Sequence, residues 1–156
     1  MFKHFFQKSL VTPLLNLLKQ GITPEKLALS VGLGVSLGIF PVIGSTTILC
    51  TTFGLMFKVN QVAIQLVNYF AYPLQLVLFI PFFQLGAFLF QTEPLPFSIE
   101  DIFSMLTTDT FGAIRVLWMA NLRAIAAWML IGPALCFVIY RILVPVFTRF
   151  APRPTA

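Results

Sequence analysis

The chain has 156 residues, enough for a single domain, with 58% apolar residues and 10% charged, where a soluble domain carries about 25% charged. That balance argues against a solvated globule and for an integral membrane protein. The formal charge of +5 is no nucleic-acid footprint, because the basic residues sit at the edges of apolar runs, where they meet lipid headgroups. Three runs carry no charge at all: 27–57, 59–92 and 124–140. The expected class is therefore an all-α integral membrane protein. Broken or re-entrant helices, about three membrane-embedded helical units and amphipathic interfacial helices would make one domain over 1–156.

Residues 1–22 read as an interfacial helix. Phe2, Phe6, Leu10, Leu14 and Leu17 recur at spacings of three and four, Phe5 and Leu18 widen the stripe, and Lys3, Lys8 and Lys19 flank it. An arm packing on the membrane domain is the alternative. The stretch lacks a small-residue cleavage site and does not look like a cleaved signal. His4, the only histidine, reads as a headgroup-facing polar residue. Thr12-Pro13 restarts or kinks the helix, and Gly21 suits a left-handed stop.

Over 23–57 a Pro-broken helical segment is expected. Thr23-Pro24-Glu25 supplies a hydroxyl cap, a proline at the first helical position and an acid at the positive end of the dipole. Ser30, Gly34 and Gly38, and again Gly32 and Ser36, provide small-residue packing faces for close helix approach, within the chain or in a homo-oligomer. A continuous helix over 27–57 would be about 46 Å long, against a hydrocarbon core of roughly 30 Å. Pro41 disfavours helix at Phe40, and Gly44 frees the backbone, so the helix breaks there. Gly44, Ser45, Thr46 and Thr47 then open a second half-helix whose unpaired amides and hydroxyls form a candidate anion site, or simply cap that helix.

Residues 60–92 form a second Pro-broken segment, with breaks at Pro73 and Pro81 hinting at an internal repeat. If the helix runs through Pro73, then Gln61, Gln65, Asn68, Tyr72 and Gln75 make one polar stripe facing other helices or a cavity. An outer interfacial helix or loop over 93–108 carries Glu93, Glu100 and Asp101, with Ser98 and Asp101 resembling a capping box. The last transmembrane helix, 109–144, is expected to bend at Gly132-Pro133 and holds Arg115 and Arg123 about 80° apart around its axis. The pair either grips one phosphate-bearing headgroup or snorkels to the interface. Residues 145–156, with Arg149 and Arg153, read as a basic, partly disordered tail. Cys50 and Cys136 lie in apolar runs and read as buried hydrophobes. Basic ends and an acidic middle orient both termini to the cytoplasm.

Gly21, Thr23, Pro24, Ala28, Gly34, Gly38, Pro41, Gly44 with its hydroxyl neighbours, Asn60, Pro81 and Gly86 are spaced as in a bacterial membrane family, domain of unknown function 2062. The resemblance covers Gly21 to about Phe90. Where the family usually has Asn-Pro-x-Thr, this chain has Tyr72-Pro73-Leu74-Gln75. The resemblance implies a small inner-membrane protein, and relatives joined to glycosyltransferase domains suggest work on envelope lipids or lipid-linked sugars.

The candidate lipid- or anion-binding residues are thus Gly44, Ser45, Thr46, Thr47, Asn68, Gln75, Arg115 and Arg123. They would serve an anionic lipid or lipid-linked carrier, with membrane lipids as partners and a homo-oligomer or larger membrane complex possible. A non-catalytic scaffold is the alternative. No cofactor, metal site or enzyme activity is expected, because the apolar runs hold no carboxylate or histidine and no paired acids or metal-ligand cluster can be assembled.

Overall fold

The computed structural model describes residues 7–95 and 98–151, with the backbone alone at Ile99. The expectations for Phe2, Lys3, His4, Phe5, Phe6 and Arg153 lie outside the described residues. The described residues are all-helical: a π-helical turn Gln7–Val11, then α1 Thr12–Lys19, α2 Pro24–Gly38, α3 Thr46–Met56, α4 Gln61–Leu89, α5 Ile99–Thr108 and α6 Thr110–Phe150. Two of these, α4 and α6, are long and apolar enough to cross a membrane, by length and composition.

The short α1 docks on the bundle. Its Leu14 and Leu18 are buried with Leu27 and Ala28 of α2, Ala63 and Val67 of α4, and Phe147 of α6. Gly21, at φ +91°, ends it in the left-handed conformation that glycine adopts most readily. Thr23 then caps α2, its side chain accepting from the Lys26 amide.

Helix α2 is the centre of the fold because it is small-residued on two faces. On one, a Cβ at Gly34 would lie 2.7 Å from Val67 Cβ, and one at Gly38 would lie 2.7 Å from Ala71 Cβ, so α4 is in backbone contact. On the other, a Cβ at Gly32 would lie 2.9 Å from the Cys136 carbonyl oxygen, and the Ser36 hydroxyl donates to the Gly132 carbonyl of α6 at 2.7 Å. Close approach of this kind gains dispersion between the two backbones.

The register follows from these pairs. Gly34 meets Val67 and Gly38 meets Ala71, so α2 and α4 run parallel; Gly32 meets Cys136 and Ser36 meets Gly132, so α6 is antiparallel to α2. Gly86 of α4 lies against the Arg123 and Ala124 backbone, which closes the same arrangement farther along. The N-terminus of α4, the C-terminus of α6 and the start of α2 therefore share one end of the bundle, while α5 sits at the other.

The chain breaks between Gly38 and Thr46, around Pro41, with Gly44 at φ +89°. The two halves are about 22 and 16 Å long, each shorter than a bilayer core of roughly 30 Å. Helix α3 folds back along α2, burying Cys50 with Leu33, Leu37 and Ile64. Lys58, at φ 52°, then reverses the chain, and Asn60 caps α4 by accepting from the Ala63 amide at 2.8 Å.

Two expected interruptions are absent, and the chain also stays helical through Gly132-Pro133, where a bend is expected. Pro73 and Pro81 lie inside the continuous α4, and Pro133 lies inside the continuous α6, as does Pro145. A proline removes one ladder bond and crowds one carbonyl, but α4 is packed on α2 before Pro73 and on α6 beyond Pro81, so helix resumes without a gap. The internal repeat fails with them, since only the first apolar run is split. The tail also begins later than expected, because helix continues to Phe150. Ser98 precedes α5 but makes no side-chain cap bond; Asp109 caps α6 instead, accepting from the Gly112 amide at 3.0 Å.

Candidate functional site

The break is held by α4. The Gln75 side chain, 1% exposed, donates from Nε2 to the Phe40 carbonyl oxygen at 2.7 Å, satisfying an acceptor left open where α2 stops. Its Oε1 is buried and has no hydrogen-bond partner among the described residues. On the far side of the break, the Ser45 hydroxyl donates to the Val42 carbonyl at 2.8 Å, so its oxygen serves the turn rather than capping α3. Thr46 is buried, whereas Gly44 and Thr47 are exposed.

From there a polar seam runs between α3 and α4 toward the end shared by the α4 N-terminus. Gln65 Nε2 donates to the Thr47 carbonyl at 3.1 Å and to the Thr51 hydroxyl oxygen at 2.8 Å. Gln61 Nε2 donates to the Thr51 carbonyl at 3.2 Å, passing over Gly54, where a Cβ would lie 2.5 Å from that nitrogen. Asn68 Nδ2 reaches Gln65 Oε1 at 3.4 Å. Thr47 and Thr51 are exposed and the two glutamines half-buried, so the seam lies at the surface of the bundle. Because α4 is unbroken at Pro73, Gln61, Gln65, Asn68 and Gln75 do share a helix face toward α2 and α3. Tyr72 lies on the same face but is exposed.

The arginines stand elsewhere. Arg123 lies beside Gly86, which is eleven residues beyond Gln75 and so about 16 Å along the axis from the break. It is half-buried in a cavity of about 40 Å³ that Glu93 also lines. Arg115 is exposed, two turns farther toward α5. The expected site around Gly44–Thr47 and the expected arginine grip are therefore two separate places, and Arg115 does not line the cavity that holds Arg123.

A groove of about 320 Å³ opens between α2, α3 and α6, apart from the seam between α3 and α4. Leu33, Leu37, Phe53 and Phe137 are among its apolar walls. Trp128 stands at its inner end, donating from Nε1 to the Ser36 carbonyl at 2.9 Å and meeting Phe40 edge-on at 4.9 Å. Nothing in the sequence singled these residues out, because a stripe of leucine and phenylalanine reads as ordinary packing. Cys136 lines the groove, and Cys50 is wholly buried; neither forms a disulfide.

Neither a curated protein nor a solved structure matches the chain. One family does, over residues 7–153, a longer stretch than the resemblance read from Gly21 to Phe90. With every described helix inside that match, the chain belongs to the family described as "Uncharacterized protein conserved in bacteria (DUF2062)".

Proposed function

We propose that this protein is an integral, multi-pass protein of the bacterial inner membrane that handles an anionic lipid or lipid-linked carrier without chemistry of its own. In this reading α4 and α6 cross the bilayer and the α2–α3 pair enters and returns as a re-entrant hairpin. Lys19, Lys26, Lys58, Arg141 and Arg149 then lie at the end shared by the α4 N-terminus, and Glu93, Glu100, Asp101 and Asp109 at the other. The bias of basic residues makes the first end cytoplasmic.

The observation that carries the lipid reading is the seam of Thr47, Thr51, Gln61 and Gln65. It is a surface-accessible polar line on helices otherwise covered with exposed apolar side chains such as Ile48, Leu55 and Val62. Polar groups at that depth are costly unless they find partners. A seam that runs from the basic end to the chain break gives a headgroup hydrogen-bonding partners partway into the bilayer. The test is movement of fluorescent phosphatidylglycerol in vesicles containing the purified protein, with a faster flip than protein-free vesicles expected. No added rate, together with a stoichiometric protein partner that survives mild detergent, would replace this reading with a scaffold role.

A further inference from the structure

The groove between α2, α3 and α6 has the proportions of a hydrocarbon-chain site. It runs along α6 from Trp128 to Tyr140, twelve residues or about 18 Å, close to half of a roughly 30 Å bilayer core. At about 30 Å³ per water-sized group, its 320 Å³ holds roughly ten such groups, the bulk of one chain segment rather than two. Its walls are almost wholly apolar, and Trp128, pinned by Ser36 and Phe40, stops its inner end.

The outer end is basic. Tyr140 lines both the groove and an adjoining cavity of about 290 Å³ shared with Arg141, Val144 and Pro145. Leu29 and Phe57 line the groove as well. Lys26 lies one helical turn before Leu29, and Lys58 directly follows Phe57 in the sequence. Lys26, Lys58 and Arg141 are all exposed, and none forms an ion pair among the described residues. Three cations from three elements thus border one mouth, with Glu25 the one acid nearby in the sequence.

We infer that this groove holds one acyl chain of an anionic phospholipid from the adjoining leaflet, with the lipid phosphate at the mouth among Lys26, Lys58 and Arg141. The inference rests on the membrane placement proposed above and not on translocation. An apolar slot one leaflet deep fixes the chain, and the three cations favour phosphate carrying net negative charge over a zwitterionic headgroup.

Trp128 reports occupancy directly. The chain has two tryptophans, so Trp118→Phe leaves Trp128 as the sole emitter. That variant, in phosphatidylcholine vesicles, is titrated with phosphatidylglycerol brominated on its acyl chains, and separately with brominated phosphatidylcholine. Quenching by the anionic lipid is expected at mole fractions about fivefold lower, the preference one well-placed basic residue supplies. The preference should vanish when Lys26→Gln, Lys58→Gln and Arg141→Gln are combined, and Leu29→Phe, which narrows the groove, should weaken quenching by both lipids. Equal quenching by the two lipids in the parent, or quenching unaffected by Leu29→Phe, overturns the inference. Recovery of fluorescence on adding a trace of unbrominated polyprenyl phosphate overturns the assignment to a leaflet phospholipid. Selective quenching without any lipid flip would leave the groove standing and retire the translocation reading alone.

Discussion

The amide of Gln75 reaches 35 residues back along the chain to the Phe40 carbonyl, at 2.7 Å, and so ties the unbroken α4 to the point where α2 stops. In a continuous helix that carbonyl would accept from Gly44; Pro41 and the left-handed Gly44 remove that option. One side chain therefore compensates for the break that divides the first apolar run.

Gln75→Leu keeps the volume and removes the donor. Leaving a buried carbonyl unpaired costs about 1–3 kcal/mol in soluble proteins, while interhelical hydrogen bonds in bilayers average nearer ~0.6 kcal/mol. A loss of roughly 1–2 kcal/mol is expected in reversible unfolding from mixed micelles. Unchanged stability would mean that water reaches the Phe40 carbonyl.

Two kinds of glycine should respond differently. Gly34→Ala and Gly86→Ala place a methyl 2.8 Å from the Ile64 carbonyl oxygen and 2.7 Å from the Arg123 carbonyl carbon, contacts that only helix separation relieves. A cost of about 1–3 kcal/mol is expected for each. Gly44→Ala meets no atom within 4 Å, and its penalty of about 1–2 kcal/mol is conformational. Asparagine should restore part of the stability at Gly44, because it tolerates the left-handed region, and should be worse than alanine at Gly34. Thermal unfolding of the variants separates the two mechanisms.

Pro73→Ala tests the continuity of α4. The new amide falls opposite the Tyr69 carbonyl within an existing helix, so stability should hold or rise by up to about 1 kcal/mol. Hydrogen exchange should find that amide protected. An exposed amide at position 73, or a destabilised variant, would show that the helix needs its proline.

Gln65→Leu removes two bonds across the seam, to Thr47 and Thr51. The loss of stability should stay below about 2 kcal/mol, while flip of fluorescent phosphatidylglycerol should slow severalfold. Thr52→Val is the comparison, since its exposed hydroxyl donates only to the Ile48 carbonyl of its own helix. Equal effects from the two would remove the seam from the proposed path.

Local signals were legible where one residue decides the backbone. Thr23, Gly21 and the Pro41–Gly44 break act through capping, left-handed φ or a missing amide, each readable within a few letters. Pro73 and Pro81 misled because a proline's single lost bond competes with the packing of a long helix, and only neighbouring helices settle that contest. The small residues of α2 announced close contacts, but not that Gly34 faces α4 while Gly32 faces α6.

By itself, the sequence determined a helical chain with long charge-free runs, a divided first segment, basic ends and an acidic middle, because composition and capping chemistry act without reference to distant residues. Tertiary structure alone decided which runs stay whole, that Gln75 serves Phe40, that Arg123 stands about 16 Å from the break, and that α2, α3 and α6 leave a groove ending at Trp128. These depend on pairs of residues up to about a hundred positions apart, such as Ser36 and Gly132, and the geometry of such a pair exists only once the helices have packed.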